Sequence, residues 1–250
     1  MRRRRRPPEW WSPMYTADQI PDAVWGRRSE LRGIAFDLDA MERLLGELAP
    51  AGGELAATGF DFANRFYEHV DAETAYAMVR RLAPARVVEL GSGFSTQVLR
   101  AAAPGELRTF DPYTKIEGVE PVAAQDVPDD VFAALGAGDV LFVDTTHVVK
   151  TGGDVNRIVL DVLPGLASGV VVHFHDIWLP YEYDRRLTEH LGANWSEQYL
   201  LQAFLSGNPE WEVLLANAAL ARDRRDAVRA AFPGWDPETE FPSAFWIRRG

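Results

Sequence analysis

VVELGSGFST, Val87 to Thr96, decides how the rest of the chain is read. Val87, Val88 and Leu90 make a short buried strand, Gly91 and Gly93 a tight turn, and Ser95 opens a helix whose apolar positions are Val98, Leu99 and Ala102. A glycine turn between strand and helix lets the backbone come close to a ligand. The free amides of the helix start can hold polar or anionic groups there. The guest this arrangement suits is a nucleotide-like cofactor.

Two details narrow that guest. The pattern is Glu-x-Gly-x-Gly, and position 96, where a dinucleotide fingerprint would carry its third glycine, holds Thr96. Asp111 closes the next strand-like run, Leu107 to Phe110, at twenty positions beyond Gly91, the spacing at which a carboxylate can take ribose hydroxyls. From Glu89-Leu90-Gly91-Ser92-Gly93 the chain resembles the class I S-adenosylmethionine-dependent methyltransferases, and by pattern the resemblance runs from about Ala72 to the C-terminus. It implies a Rossmann-like α/β fold with a mostly parallel seven-stranded sheet and an antiparallel strand in a C-terminal hairpin. It also implies S-adenosylmethionine as cofactor, with Asp111 on the ribose, Gly91 and Gly93 beside the methionine portion, and Glu89, Ser92, Ser95 and Thr96 as further cofactor-binding residues. Asp126 would lie near the adenine amine, although Asp126-Val127-Pro128-Asp129-Asp130 reads equally well as the start of a helix.

A chain of 250 residues with 47% hydrophobic and 25% charged residues can bury one sizeable core, and one domain with an N-terminal extension is expected. No apolar run approaches the roughly 18 residues of a membrane span. Without cysteine there are no disulfides and no thiolate metal sites, which fits a cytoplasmic protein. The net charge is −11, of which Arg2 to Arg6 supply +5, so the body carries −16. An acidic body argues against a nucleic-acid groove. The arginine run before Pro7-Pro8 reads as a disordered solvated tail, contact with RNA or anionic lipid being the alternative, and no apolar segment follows to make it a secretory signal. The expected divisions are a basic tail over 1–9, a helical and irregular extension over 10–70, and the methyltransferase domain over 71–250.

Within the extension, Phe36 to Leu48 has a helical period capped by Asp37 or Asp39, Ala49 to Gly59 reads as a loop, and Phe60 to His69 is loosely structured. Asp71 caps a helix running through Ala75, Met78, Val79 and Leu82 to Pro84. After the glycine turn, strand and helix signals alternate. Val119 to Ala124 is a short third strand, Val131 to Leu135 a helix, and Val140 to Val143 a wholly apolar fourth strand. Val155 to Leu166 forms a helical stripe with Asp154 as cap, and Val170 to Phe174 is the fifth strand. The alternation is βαβαβ, hence a parallel sheet. Ser196 caps a helix presenting Tyr199, Leu200, Ala203 and Phe204. Glu212 to Leu220 and Ala244 to Ile247 then read as two final strands around a helix near Asp223 to Phe232. Class I methyltransferases end in such a hairpin, whereas classical dinucleotide folds keep six parallel strands.

In open parallel sheets the ligand lies beyond the carboxyl ends of the strands. That rim collects the glycine turn, Asp111, Gln125-Asp126, Asp144 and His175-Asp176. Neighbouring strands lie about 5 Å apart, so Asp144 and Asp176 can face one gap with His175 beside them, a donor set that suits a divalent cation such as Mg²⁺. The set resembles the metal-dependent O-methyltransferases of macrolide sugars and the cephalosporin-hydroxylase-like group, except that His175 stands where those carry a carboxylate. The same resemblance makes His147 a candidate base. A hydroxyl attacking the sulfonium methyl must lose its proton, and a near-neutral imidazole can take it. His147 holding its own loop by hydrogen bonds is the structural alternative, and His173, inside the strand, reads as a hydrogen-bonded core histidine. Asp111-Pro112-Tyr113 follows strand two and is not the motif that adenine N-methyltransferases place after strand four.

The expectation is S-adenosylmethionine-dependent O-methylation of a small molecule or sugar hydroxyl, with no nucleic-acid or membrane partner and with homo-oligomerisation left open. The rivals are an NAD-dependent oxidoreductase built on the same half-fold and a non-catalytic protein that binds the cofactor.

Overall fold

Six strands build one mixed sheet in the computed structural model, which describes residues 14–102 and 105–250. They are β1 (Arg86–Leu90), β2 (Glu106–Phe110), β3 (Val140–Val143), β4 (Val171–Phe174), β5 (Trp211–Ala216) and β6 (Phe245–Arg249), in the order β2-β1-β3-β4-β6-β5. β2, β1, β3 and β4 run parallel, and β6 is antiparallel to both β4 and β5. All four residues of β3 and of β4 are buried, as expected of strands covered on both faces. The ten helices of the described residues are α1 (Asp22–Trp25), α2 (Leu38–Gly52), α3 (Asp71–Leu82), α4 (Phe94–Ala102), α5 (Asp129–Ala133), α6 (Asp154–Arg157), α7 (Leu163–Gly165), α8 (Glu197–Leu205), α9 (Asn217–Asp223) and α10 (Arg225–Ala231). α2 packs on α3, α3 on α4 and α10 on α2, while a π turn at Ile158–Val162 joins α6 to α7 and touches α8.

The expected seventh strand is absent from the described residues. Where Val119 to Ala124 was to pair, there is only a single parallel bridge between Phe110 and Glu120. The Glu120 amide donates to Thr109 O at 2.8 Å and its carbonyl accepts from Asp111 N at 3.0 Å. Pro121 follows at once and has no N–H with which to continue the ladder.

Other differences are local. α2 continues to Gly52 and a 3₁₀ stretch covers Gly53–Thr58, so the expected loop is helical. The α2 cap is Asp37, whose Oδ1 accepts from the amides of Asp39 and Ala40 at 3.0 Å each. Asp71 is the first residue of α3 rather than its cap. The amide of Val70 is taken instead by Glu73 Oε2 at 3.0 Å. The stretch read as a strand to Leu220 stops at Ala216, and Asn217 begins α9. The buried face of α8 is Glu197, Gln198, Leu201 and Leu205, while Tyr199 is exposed. Ser196 puts its hydroxyl on the amide of Val149 at 2.8 Å instead of on its own helix. His173 is fully buried against Phe142, with ring centroids 3.8 Å apart. Neither of its nitrogens has a hydrogen-bond partner among the described residues, so it packs as an aromatic ring and not as a hydrogen-bonded histidine. Arg2 to Arg6, Trp10 and Trp11 lie outside the described residues.

Candidate functional site

Between β1 and α4 the chain makes the expected glycine turn, and its two glycines do different work. Gly91 has φ +93°, and a Cβ there would stand 1.9 Å from the Asp144 carbonyl oxygen, so this glycine is required by the close approach of β1 to the chain leaving β3. A Cβ on Gly93 would meet nothing within 4 Å. Behind the turn, Glu89 is fully buried and accepts hydrogen bonds from three hydroxyls: Ser95 at 2.8 Å, Thr96 at 3.2 Å and Thr109 at 2.8 Å. Burial raises the Glu89 carboxyl to about 7, against the pull of those three donors. Thr96 also accepts the amide of Gly93 at 3.0 Å, so Glu89, Ser95 and Thr96 brace the turn from inside.

On the open side, Ser92 donates to Asp111 Oδ2 at 2.6 Å, and Asp111 Oδ1 takes the amide of Tyr113 at 2.8 Å. A cavity of about 430 Å³ opens here, lined by Gly91, Ser92, Asp111, Gln125 and Asp144 among others, a size suited to a small cofactor. Asp126 is exposed on the 3₁₀ turn Ala124–Asp126. It is Gln125 and Ala124 of that turn, and not Asp126, that line the cavity.

At the end of β3 and β4 the structure brings together all four residues that were expected to meet. Val143 is in register with Phe174, and the His175 amide donates to Val143 O at 2.9 Å. His147 Nε2 lies 3.3 Å from Asp144 Oδ1 and 3.4 Å from Asp176 Oδ2, and His175 Nδ1 lies 3.6 and 3.7 Å from Asp144 Oδ2 and Asp176 Oδ2. Both His147 and Asp176 sit at φ +59°, a left-handed backbone that costs a non-glycine residue on the order of 1 kcal/mol or more. No lysine or arginine reaches Asp144 or Asp176 within ion-pair distance among the described residues, so the basic groups facing these carboxylates are the two imidazoles.

Two supporting carboxylates escaped the sequence reading. Glu197, at the first turn of α8, is buried and meets His147 Nδ1 at 2.9 Å, and the His147 carbonyl accepts the amides of Ser196 and Glu197 at 2.8 and 3.1 Å. Asp71 accepts from Asn217 Nδ2, Ser243 N and Ala244 N at 2.8, 2.7 and 3.0 Å and lies 3.3 Å from His175 Nε2, tying α3 to β4, β6 and α9. The only sequence signal for either was an acidic residue at the start of a helix, which reads as ordinary helix chemistry. Asp154 shows the same pattern. Its carboxylate holds the amide and hydroxyl of Thr146 at 2.9 and 2.7 Å, and so fixes the loop that carries His147.

Charge in the cluster is strongly biased. Burial opposes a proton on His147 and on His175, but Asp144 and Glu197 on one side, and Asp176, Asp144 and Asp71 on the other, carry both imidazoles well above their usual range. Burial alone would raise Asp144, yet His175 and His147 bring it down to about 2. A second cavity, of about 760 Å³, adjoins the cluster where Asp71, His175 and Asp176 meet Phe62, Phe66 and Phe241. Asp144 thus lines the first cavity and Asp176 the second. His147 lines neither.

No family model matches the chain, and no curated protein matches it. Among solved structures it is similar to an S-adenosyl-L-methionine methyltransferase from Silicibacter pomeroyi DSS-3, at 16% identity over 86% of this chain and 99% of that one, with a TM-score of 0.35. A protein provisionally named a methyltransferase from Thermobifida fusca YX matches at 15% identity over 96% and 99% of the two chains, with a TM-score of 0.46. One provisionally named an S-adenosylmethionine-dependent methyltransferase from Listeria monocytogenes matches at 13% identity over 73% and 100%, with a TM-score of 0.36. Likenesses at such low identity and score assign this chain neither a substrate nor a catalytic residue.

Proposed function

We propose that the protein transfers a methyl group from S-adenosylmethionine to a hydroxyl of a small molecule or sugar. The observation that carries this reading is the pair of cavities that adjoin one carboxylate and imidazole cluster. The smaller holds the glycine turn and Asp111, and the larger is walled by aromatic rings and polar groups. In this reading Gly91, Ser92 and Gly93 border the cofactor, and Asp111, already accepting from Ser92, offers its carboxylate to ribose hydroxyls. Glu89, Ser95 and Thr96 shape the turn, and Gln125, and not Asp126, lines the cavity where the cofactor's base would lie.

The acceptor hydroxyl would enter from the larger cavity and meet Asp176 first. His147, the base expected from the sequence, stands 3.4 Å from that carboxylate with its ring held protonated by its acidic neighbours, so Asp176 would take the hydroxyl proton and His147 would hold the Asp176 carboxylate in place. The spacing of the cluster also fits a divalent cation. Asp144 and Asp176 would hold it with an imidazole beside them, and when bound it would acidify a hydroxyl in contact with it. Asp144, which borders the cofactor cavity, and His175, fixed by Asp71, keep the cluster in place.

Nothing in the cavities fixes the acceptor, so the test uses a panel. The protein, with methyl-labelled S-adenosylmethionine and sugars, catechols, aliphatic alcohols and amines, should label an oxygen-bearing acceptor, read by mass spectrometry. Asp176→Asn should abolish the labelling. Labelling confined to amines would overturn the hydroxyl assignment, and hydride transfer from NADH by the same preparation would favour the oxidoreductase.

A further inference from the structure

We infer that His147 is itself a metal ligand, and that Asp144 Oδ1, His147 Nε2 and Asp176 Oδ2 form a three-point site for a divalent transition-metal ion. The inference rests on the proposed placement of the reaction at this cluster, but it concerns which atoms hold the ion, and its test needs no methyl transfer.

Spacing is the first argument. A charge-assisted N–H···O bond is about 2.7 to 2.9 Å long, and His147 Nδ1 makes one of that length with Glu197. On the other side of the same ring, Nε2 stands 3.3 and 3.4 Å from two carboxylate oxygens at once. A single proton could serve both only as a weak three-centre contact, longer than the bond on the Glu197 side. Atoms bound at about 2.1 Å to a common centre are separated by roughly 3.0 Å in an octahedron and roughly 3.4 Å in a tetrahedron, and both separations fall in that range. One donor atom from each of Asp144, His147 and Asp176 lies within 4.8 Å of the others, whereas His175 falls outside that set.

The support around the ring is the second argument. A ligating histidine commonly donates its other nitrogen to a carboxylate, which fixes the tautomer and aims the lone pair. Glu197 is in that position, buried and held by the start of α8, and His147 is only 5% exposed. His175 is built otherwise. Its Nε2 faces Asp71, and its Nδ1 is farther from both carboxylates than Nε2 of His147 is. It serves as a flanking positive charge, not as a ligand.

Charge balance is the third. Asp71, Asp144, Asp176 and Glu197 surround two imidazoles, which leaves the cluster anionic even with both rings protonated. A divalent ion in place of the His147 Nε2 proton reduces that excess. One nitrogen with two carboxylates favours Mn²⁺, Fe²⁺, Co²⁺ or Zn²⁺ over the all-oxygen ions Mg²⁺ and Ca²⁺.

Chelator-stripped protein titrated with Mn²⁺ alone decides the matter by electron paramagnetic resonance. One Mn²⁺ should bind per chain, and its spin echo should show ¹⁴N coupling from a directly bound imidazole. His147→Gln should remove the coupling and weaken Mn²⁺ binding by about 10-fold or more, while His175→Gln should keep it. Glu197→Gln should keep the coupling and weaken binding by about 10-fold, as loss of a supporting carboxylate does. If His147→Gln does not fold, judged by circular dichroism, the His175→Gln echo still decides, because the coupling must survive there. Absence of Mn²⁺ binding, or coupling lost in His175→Gln, overturns the assignment. S-adenosylmethionine binding by the stripped protein, measured separately, leaves the methyl-transfer reading standing in either case.

Discussion

Gly91 and Gly93 stand in one turn, yet only the first is required by the backbone around it. Gly91 is fixed by φ +93° and by a backbone oxygen 1.9 Å from where its Cβ would be, so Gly91→Ala must displace β1 or the Asp144 peptide. We expect it to lower stability by about 1–3 kcal/mol in urea unfolding, whereas Gly93→Ala, whose Cβ meets open space, should unfold at the native midpoint. Glu89 makes a pH prediction. Its folded value of about 7 lies above that of an exposed glutamate, so the folded state binds the proton more tightly. Its contribution is then full at low pH and is lost as pH rises towards 7. Wild-type protein should therefore lose stability between pH 5 and 8 relative to Glu89→Gln, which keeps an acceptor for the hydroxyls and does not titrate. Equal pH slopes for the two proteins in denaturant titrations would show that Glu89 is not held protonated.

Local signals predict elements well where one residue decides them. Asp37 caps α2 with two amides at 3.0 Å, and Asp37→Ala should cost about 1 kcal/mol in the same unfolding assay while leaving ligand binding unchanged. β1, β2, β3, β4 and β6 were all legible as apolar runs between turn signals, and the hairpin end was legible too. The third strand was not there to be found, because Pro121 removes the donor that a longer pairing with β2 requires. The end of β5 was misread because LLANAAL is apolar on both sides of Asn217. What stops the strand is Asn217, whose side chain turns to Asp71 and Thr74 at 2.8 and 2.9 Å, a contact across more than 140 residues. The site divides in the same way. Asp144, His175 and Asp176 follow from strand adjacency, and His147 from the family resemblance. Glu197 and Asp71 could not, since each reaches the site only through the packing of helices that sequence places far away.

On the scale of the whole molecule, two cavities adjoin one cluster at the carboxyl ends of β3 and β4, and the chain entering the antiparallel strand β6 brings the amides of Ser243 and Ala244 to Asp71. No described helix is long and apolar enough to cross a membrane. The smaller cavity is the one proposed to hold S-adenosylmethionine. Isothermal calorimetry on the purified chain tests that proposal most directly. We expect S-adenosylmethionine, or its demethylated product, to bind with micromolar-class affinity and NAD to give no heat, and Gly93→Val to lose the binding while its circular dichroism stays native. Binding of NAD without S-adenosylmethionine, or full affinity in folded Gly93→Val, would contradict the account.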